Sequence, residues 1–262
     1  MNRRVFLEYC TFSSSLLIAS SRNTYAQQLI PGMKTVGLIG GTSWHSTIDY
    51  YRIINELTNQ QLGEKVNPPL LLVNLNQAHI HALQAKDDWA SIREIYQAKA
   101  KALVAAGAEA IAFCANTPHK IADQVRSTIT KPILHIADAT AYEIKKRKMD
   151  TVGLAGTRFT MTESFFIERL RKSGISTKIP DSKSIEILHN LVVNQLTTGA
   201  FTEESKQILL SEINKLYQQQ VQGIILACTE FPILIKQTDC PYPIFDTTSI
   251  HCKSIVDFIV SS

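Results

Sequence analysis

Gly223-Ile224-Ile225-Leu226-Ala227-Cys228-Thr229-Glu230-Phe231-Pro232 reads as a short apolar strand ending in a thiol, followed at once by a hydroxyl, a carboxylate and the proline of a helix start. At such a junction, backbone N–H groups and the positive end of a helix dipole favour thiolate over thiol. In the middle of an apolar strand the same residue is a small, inert hydrophobe. What favours the reactive reading for Cys228 is that the stretch does not stand alone.

About 113 residues earlier runs Ala108-Glu109-Ala110-Ile111-Ala112-Phe113-Cys114-Ala115-Asn116-Thr117-Pro118-His119, again an apolar run, a cysteine, amide and hydroxyl residues and a proline. Upstream, Val36-Gly37-Leu38-Ile39-Gly40-Gly41-Thr42 is echoed by Val152-Gly153-Leu154-Ala155-Gly156-Thr157. Each is followed by a hydroxyl-rich turn and a helical pattern with paired aromatics, Tyr50-Tyr51 and Phe165-Phe166. Downstream, Pro132-Ile133-Leu134-His135-Ile136-Ala137-Asp138 answers Pro243-Ile244-Phe245-Asp246-Thr247-Thr248. Ordered matches at a nearly constant offset predict a duplicated chain.

Around these motifs, β-branched runs alternate with longer amphipathic ones. Strands are predicted over 35–40, 70–74, 110–115, 151–155 and 224–228, and helices over 46–61, 89–106, 162–172, 185–196, 203–220 and 249–260. Such alternation predicts an α/β fold of parallel sheets with helices on both faces, and the duplication predicts two lobes. The first lobe is expected over 34–137, completed by the C-terminal helix within 249–262, and the second over 138–248.

Composition is that of an ordinary globular protein, with 45% hydrophobic residues available for a core. A net charge of +4 without an aromatic-basic pattern speaks against a nucleic-acid partner. The basic run Lys145-Lys146-Arg147-Lys148 reads as a solvated helix C-terminus. Five cysteines, at 10, 114, 228, 240 and 252, show neither a CxxC pair nor zinc spacing, so no metal site is expected. Residues 1–26 read as an export signal: Arg3-Arg4 precedes an apolar stretch through Leu16-Leu17-Ile18-Ala19, and Thr24-Tyr25-Ala26 offers small residues at cleavage spacing. The arginine pair resembles the twin-arginine type, which implies a periplasmic protein. No stable membrane anchor is expected after signal removal, because no other apolar run approaches spanning length. In an oxidising compartment, Cys240 with Cys252 is the pair that could form a disulfide.

In open α/β sheets a ligand lies beyond the carboxyl ends of the strands, where all of these motifs fall. Gly40-Gly41-Thr42-Ser43 offers close backbone approach and hydroxyls able to bind a carboxylate, but lacks dinucleotide or Walker spacing. These residues taken together carry a resemblance. Gly40-Gly41-Thr42-Ser43-Trp44, Cys114-Ala115-Asn116-Thr117-Pro118-His119-Lys120, His135-Ile136-Ala137-Asp138, Gly156-Thr157-Arg158-Phe159-Thr160-Met161, Ala227-Cys228-Thr229-Glu230 and Asp246-Thr247-Thr248 are similar to the cofactor-independent aspartate/glutamate racemase family. The resemblance covers nearly all of the chain from Lys34 onward. It implies two pseudo-symmetric α/β lobes with the active site in the cleft between them, and inversion of an amino acid at its α-carbon, most simply aspartate or glutamate, without pyridoxal phosphate or any other cofactor. It also implies catalytic Cys114 and Cys228, a substrate cradle of Thr42, Ser43, Gln84, Ala115, Asn116, Thr117, Thr229 and Arg158, and a homodimer.

The chemistry accounts for two acid–base groups, since one removes the weakly acidic α-hydrogen from one face while the other delivers a proton to the opposite face. In the family the first cysteine directly precedes Asn-Thr. Here that place is Ala115, with Cys114 one residue earlier, and one residue reverses the direction of a strand side chain. Either Cys114 points into the core and water, Thr117 or His119 serves the first face, or a bulge brings Cys114 to the substrate. Two further classes stay open: a one-thiol decarboxylase or cis–trans isomerase of a small dicarboxylate, and an exported amino-acid-binding protein that turns nothing over.

Overall fold

The computed structural model describes residues 32–261, so the export-signal reading of residues 1–26 lies outside it. Strands β1 (Val36–Gly40), β2 (Leu70–Asn74), β3 (Ala110–Phe113) and β4 (Ile133–Leu134) form a parallel sheet in the order β2-β1-β3-β4. Strands β5 (Thr151–Gly156), β6 (Ser176–Lys178), β7 (Ile224–Ala227) and β8 (Ile244–Asp246) form a second in the order β6-β5-β7-β8, the same winding repeated. The central strands β1, β3 and β7 are buried along their whole length, which explains their near-continuous apolar sequence.

Pairing register gives the duplication its physical content. Gly37 lies opposite Ile111, and Gly153 opposite Ile224. A Cβ on Gly37 would come 2.9 Å from Ile111 Cδ1 and 3.0 Å from Leu103 Cβ, while one on Gly153 would come 2.6 Å from Ile224 Cδ1 and 2.8 Å from Leu216 Cγ. Both lobes therefore omit a side chain at the same place to let a helix leucine close on the sheet.

In chain order, the helices of the first half are α1 (Trp44–Leu62), α2 (Gln77–Ala85), α3 (Trp89–Ala105), α4 (Ala122–Arg126) and α5 (Ile136–Lys146). Those of the second half are α6 (Arg158–Thr162), α7 (Ser164–Lys172), α8 (Ser182–Asn194), α9 (Glu203–Tyr217), α10 (Phe231–Leu234) and α11 (Thr247–Val260). Capping side chains set several starts: Asp88 accepts from Ser91 N at 3.0 Å, Asp181 from Ser184 N at 2.9 Å, and Asp246 from Thr248 N at 2.9 Å. On the first sheet, Val36, Leu38, Ala110 and Ala112 pack with Tyr50 and Ile54 of α1 and with Cys252, Ile255 and Ile259 of α11. The opposite face buries Ile39, Ile111 and Phe113 under α3 and α4. Residues of α5 and α7 cover Val152, Leu154 and Ile225, whereas α8, α9 and α10 cover Ala155, Ile224 and Leu226.

Three expectations change. The helix predicted over 162–172 begins at Ser164, because Glu163 is extended (φ −96°, ψ 156°) and reaches Lys120 of the first lobe at 2.8 Å, and a separate short helix, Arg158–Thr162, precedes it. Helix α2 was unforeseen, since Ile80 is its only buried residue and so little apolar periodicity marks it. No disulfide joins Cys240 to Cys252: both are free thiols, the former in the core of the second lobe and the latter in the core of the first.

Candidate active site

The carboxyl ends of β1, β3, β5 and β7 converge on a cavity of about 430 Å³ between the lobes. In the loop after β1, Gly41 has φ +85° at a point where a Cβ would collide with the Leu75 backbone, so glycine is required there. The start of α1 grips this loop. Thr47 Oγ1 accepts from Gly41 N at 2.9 Å and donates to Ser43 O at 2.9 Å, and Ser46 Oγ donates to Cys114 O at 2.7 Å. Thr42 and Ser43 both line the cavity. The Thr42 hydroxyl is held by Tyr96 at 2.7 Å, while the buried Ser43 Oγ has no protein partner.

The two cysteines fare differently. Cys228 lies on the cavity wall, buried, and its thiol donates to Glu230 Oε2 at 3.0 Å; Thr229 Oγ1 donates to the same oxygen at 3.1 Å. Burial pushes the Cys228 thiol well above its ordinary pKa, and the neighbouring Glu230 carboxylate raises it further. Cys114 is absent from the wall. It packs with Leu38, Ala110, Ala112, Tyr50 and Cys252 on the α1/α11 face of the first sheet, and burial alone raises its pKa. Side-chain alternation is the cause: Cys114 falls on the face of Ala110 and Ala112, just as Ala227 falls on the face of Ile225, while Cys228 shares the face of Ile224 and Leu226. In the register of the repeat, Ala115 holds the place of Cys228, and Ala115 lines the cavity. The catalytic role expected for Cys114 therefore finds no geometry to support it.

Asn116 and Thr117, after β3, also line the cavity. Thr247 Oγ1 gives its one proton to Leu226 O at 2.8 Å and must accept from Asn116 Nδ2 at 3.1 Å, which fixes the amide orientation. Asn116 Oδ1, buried and without a protein partner, is the atom left over. Across the cleft, Thr117 Oγ1 meets Thr157 Oγ1 at 3.1 Å, and Thr157 meets Thr160 at the same distance. Gln84 lines the cavity from α2, with Nε2 buried and unpartnered. Arg158 is half-exposed and spans to Glu186 at 3.3 Å.

His119 departs from its expected role. It lies off the wall, its Nε2 accepting from Ile136 N at 3.3 Å, so Nδ1–H donates to Ala115 O at 2.9 Å. Burial lowers its pKa to about 3. It ties the strand end to the start of α5, beside His135 and His251, with ring centroids at 4.5 and 5.6 Å.

The wall also holds residues that the sequence reading did not place there: Glu230, His81, Asp87, Thr157, His189 and Val193. Glu230 was legible in principle, two residues after Cys228 at a helix start. So was Thr157, in the repeat of the glycine loop; His81, Asp87, His189 and Val193 reach the cavity from segments whose local patterns carry no sign of it.

The sequence matches the model of the Asp/Glu/Hydantoin racemase family over residues 39–255. A Yersinia pestis protein, provisionally assigned as an Asp/Glu racemase, is 42% identical over 87% of this chain and 100% of its own, with a TM-score of 0.80. An aspartate racemase homologue from Pyrococcus horikoshii is 34% identical over 87% of this chain and 100% of its own, with a TM-score of 0.76. The broad specificity amino-acid racemase RacX of Bacillus subtilis is 27% identical over 157 residues, spanning 57% of this chain and 64%, just under two thirds, of that relative. With the fold, the duplicated register and these likenesses in agreement, the chain belongs to the Asp/Glu/Hydantoin racemase family, a family of isomerases.

Proposed function

We propose that the protein is an amino-acid racemase working without a cofactor, with Cys228 as the acid–base group of one face. The observation that carries this reading is the Cys228 thiol on the cavity wall, 3.0 Å from a buried carboxylate and surrounded by polar atoms without protein partners. The thiol gives its proton to Glu230, whose carboxylate already accepts its hydrogen bond, and the entering substrate ammonium stabilises the thiolate that forms. The thiolate then removes the α-proton, and the developing enolate-like charge on the substrate carboxylate is met by donors such as Ser43 Oγ. The proton on the other face comes from Thr117, which solvent water reprotonates as Glu230 releases its proton to solvent, or from water directly, since Ala115 has none to give.

Aspartate and glutamate, which the family resemblance implies, are the reference substrates. The test is incubation of each enantiomer in D2O. A racemase yields α-deuterated amino acid of both hands, a decarboxylase releases CO2, and a binding protein returns its ligand unlabelled; either of the last two results rejects the reading. We further propose that the protein is exported and forms a homodimer, checked by a mature N-terminus near Gln27 in the envelope fraction and by light scattering.

A further inference from the structure

We propose that the amino acid taken by this site carries an uncharged side chain, and that the cavity wall selects against a second carboxylate. This deepens the racemase reading and rests on it. The zwitterionic part of any amino acid is met by groups already described. Donors Ser43 Oγ and Gln84 Nε2 suit its carboxylate, and acceptors Asn116 Oδ1 and Glu230 suit its ammonium. What remains for the side chain is an apolar wall that includes Ala85, Phe159, Val192 and Val193.

A second carboxylate needs a cation, and the wall holds none to spare. Among the described residues no lysine lines the cavity, and its one arginine, Arg158, is engaged by Glu186. Lys120, close by, sits 2.8 Å from Glu163 and 4.1 Å from the centroid of the Trp89 ring. His81 donates to Thr42 O at 2.8 Å, and burial holds both His81 and His189 toward the neutral ring. With Glu230 serving the thiol and the substrate ammonium, the charge left facing the cavity is the carboxylate of Asp87. A side-chain carboxylate would shed water to enter a wall of its own sign, whereas an uncharged chain sheds little and buries apolar surface on Val192 and Val193.

The test compares near-isosteric pairs on the full-length protein: kcat/KM for α-proton exchange in D2O with glutamine against glutamate and asparagine against aspartate, alongside methionine and leucine. The expected result is a preference for each amide of about tenfold or more. Aspartate and glutamate exchanging as fast as their amides would overturn the inference and leave the racemase reading standing. Exchange with no amino acid would remove both. Val193→Lys places a cation on the half-exposed part of the wall and should shift the glutamate-to-glutamine ratio by about tenfold toward glutamate; an unchanged ratio overturns the claim that the charge of the wall does the selecting.

Discussion

At the ends of β3 and β7 the two lobes carry the same backbone and different chemistry. Gly37 faces Ile111 as Gly153 faces Ile224, and from that register Ala115 and Cys228 occupy equivalent places on opposite sides of one cavity. The second lobe presents a thiol against a carboxylate; the first presents a methyl group and turns its own thiol inward to the Tyr50–Cys252 core. Behind the methyl group lies a buried histidine cluster, so the first lobe spends its titratable side chains on holding the strand end. The comparison teaches that a duplicated scaffold conserves the geometry needed to address both faces of a carbon without conserving a like group at each.

Loss of the thiol is the most damaging test of that asymmetry. Cys228→Ser should lower α-proton exchange from the enantiomer it serves by ~10³-fold, within the range of a positioned acid–base group, with an unchanged circular dichroism spectrum. Exchange within a fewfold of wild type would mean that catalysis does not pass through this side of the cavity.

Acid should weaken the first lobe through its histidines. Burial depresses His119 to about 3 and His251 to about 4, and holds His135 well below the ordinary value. A histidine whose folded pKa is depressed is protonated first in the unfolded chain. Its stabilising contribution is therefore complete above about pH 6.5 and is lost as pH falls toward the folded value, at about 1.4 kcal/mol per pH unit per ring. For His119 alone that is roughly 3 kcal/mol by about pH 4.5. Urea midpoints measured from neutral pH downward should fall accordingly, and a flat profile would show that the rings are not held neutral.

Restoring symmetry is the third test. Ala115→Cys places a thiol in the register of Cys228, and should raise exchange from the slower enantiomer by up to ~10²-fold. No gain for either hand would mean that the first face is served by a group this position does not reach.

The smallest effect belongs to Cys114. Because it is a core residue, Cys114→Ala should cost about 1 kcal/mol in stability and leave exchange from both enantiomers unchanged. A loss comparable to that of Cys228→Ser would show that a local bulge brings Cys114 to the substrate in solution.

Much of this was legible before any coordinates. The duplication, the α/β class, the parallel strands and the arrival of the glycine loop and both cysteine stretches at one end of the sheets follow from local apolar periods, turn residues and a repeated motif order. Those signals are written within a few residues and survive any packing. The displacement of Cys114 from the family register was also readable, but its outcome was not, since a bulge and a regular strand share one sequence. Only the paired strands, with Cys114 N donating to Ile39 O at 3.0 Å, decide that the alternation runs on and turns the thiol inward. Tertiary structure likewise separated Cys240 from Cys252 into different cores, moved His119 from candidate acid to structural tie, and set Glu163 against Lys120. It gathered His81, Asp87, His189 and Val193 from separate segments onto one wall. The physical reason is the range of the interactions: strand and helix choice is made by neighbours along the chain, whereas the charge, acidity and partners of a buried side chain are set by groups that only the folded sheets bring within reach.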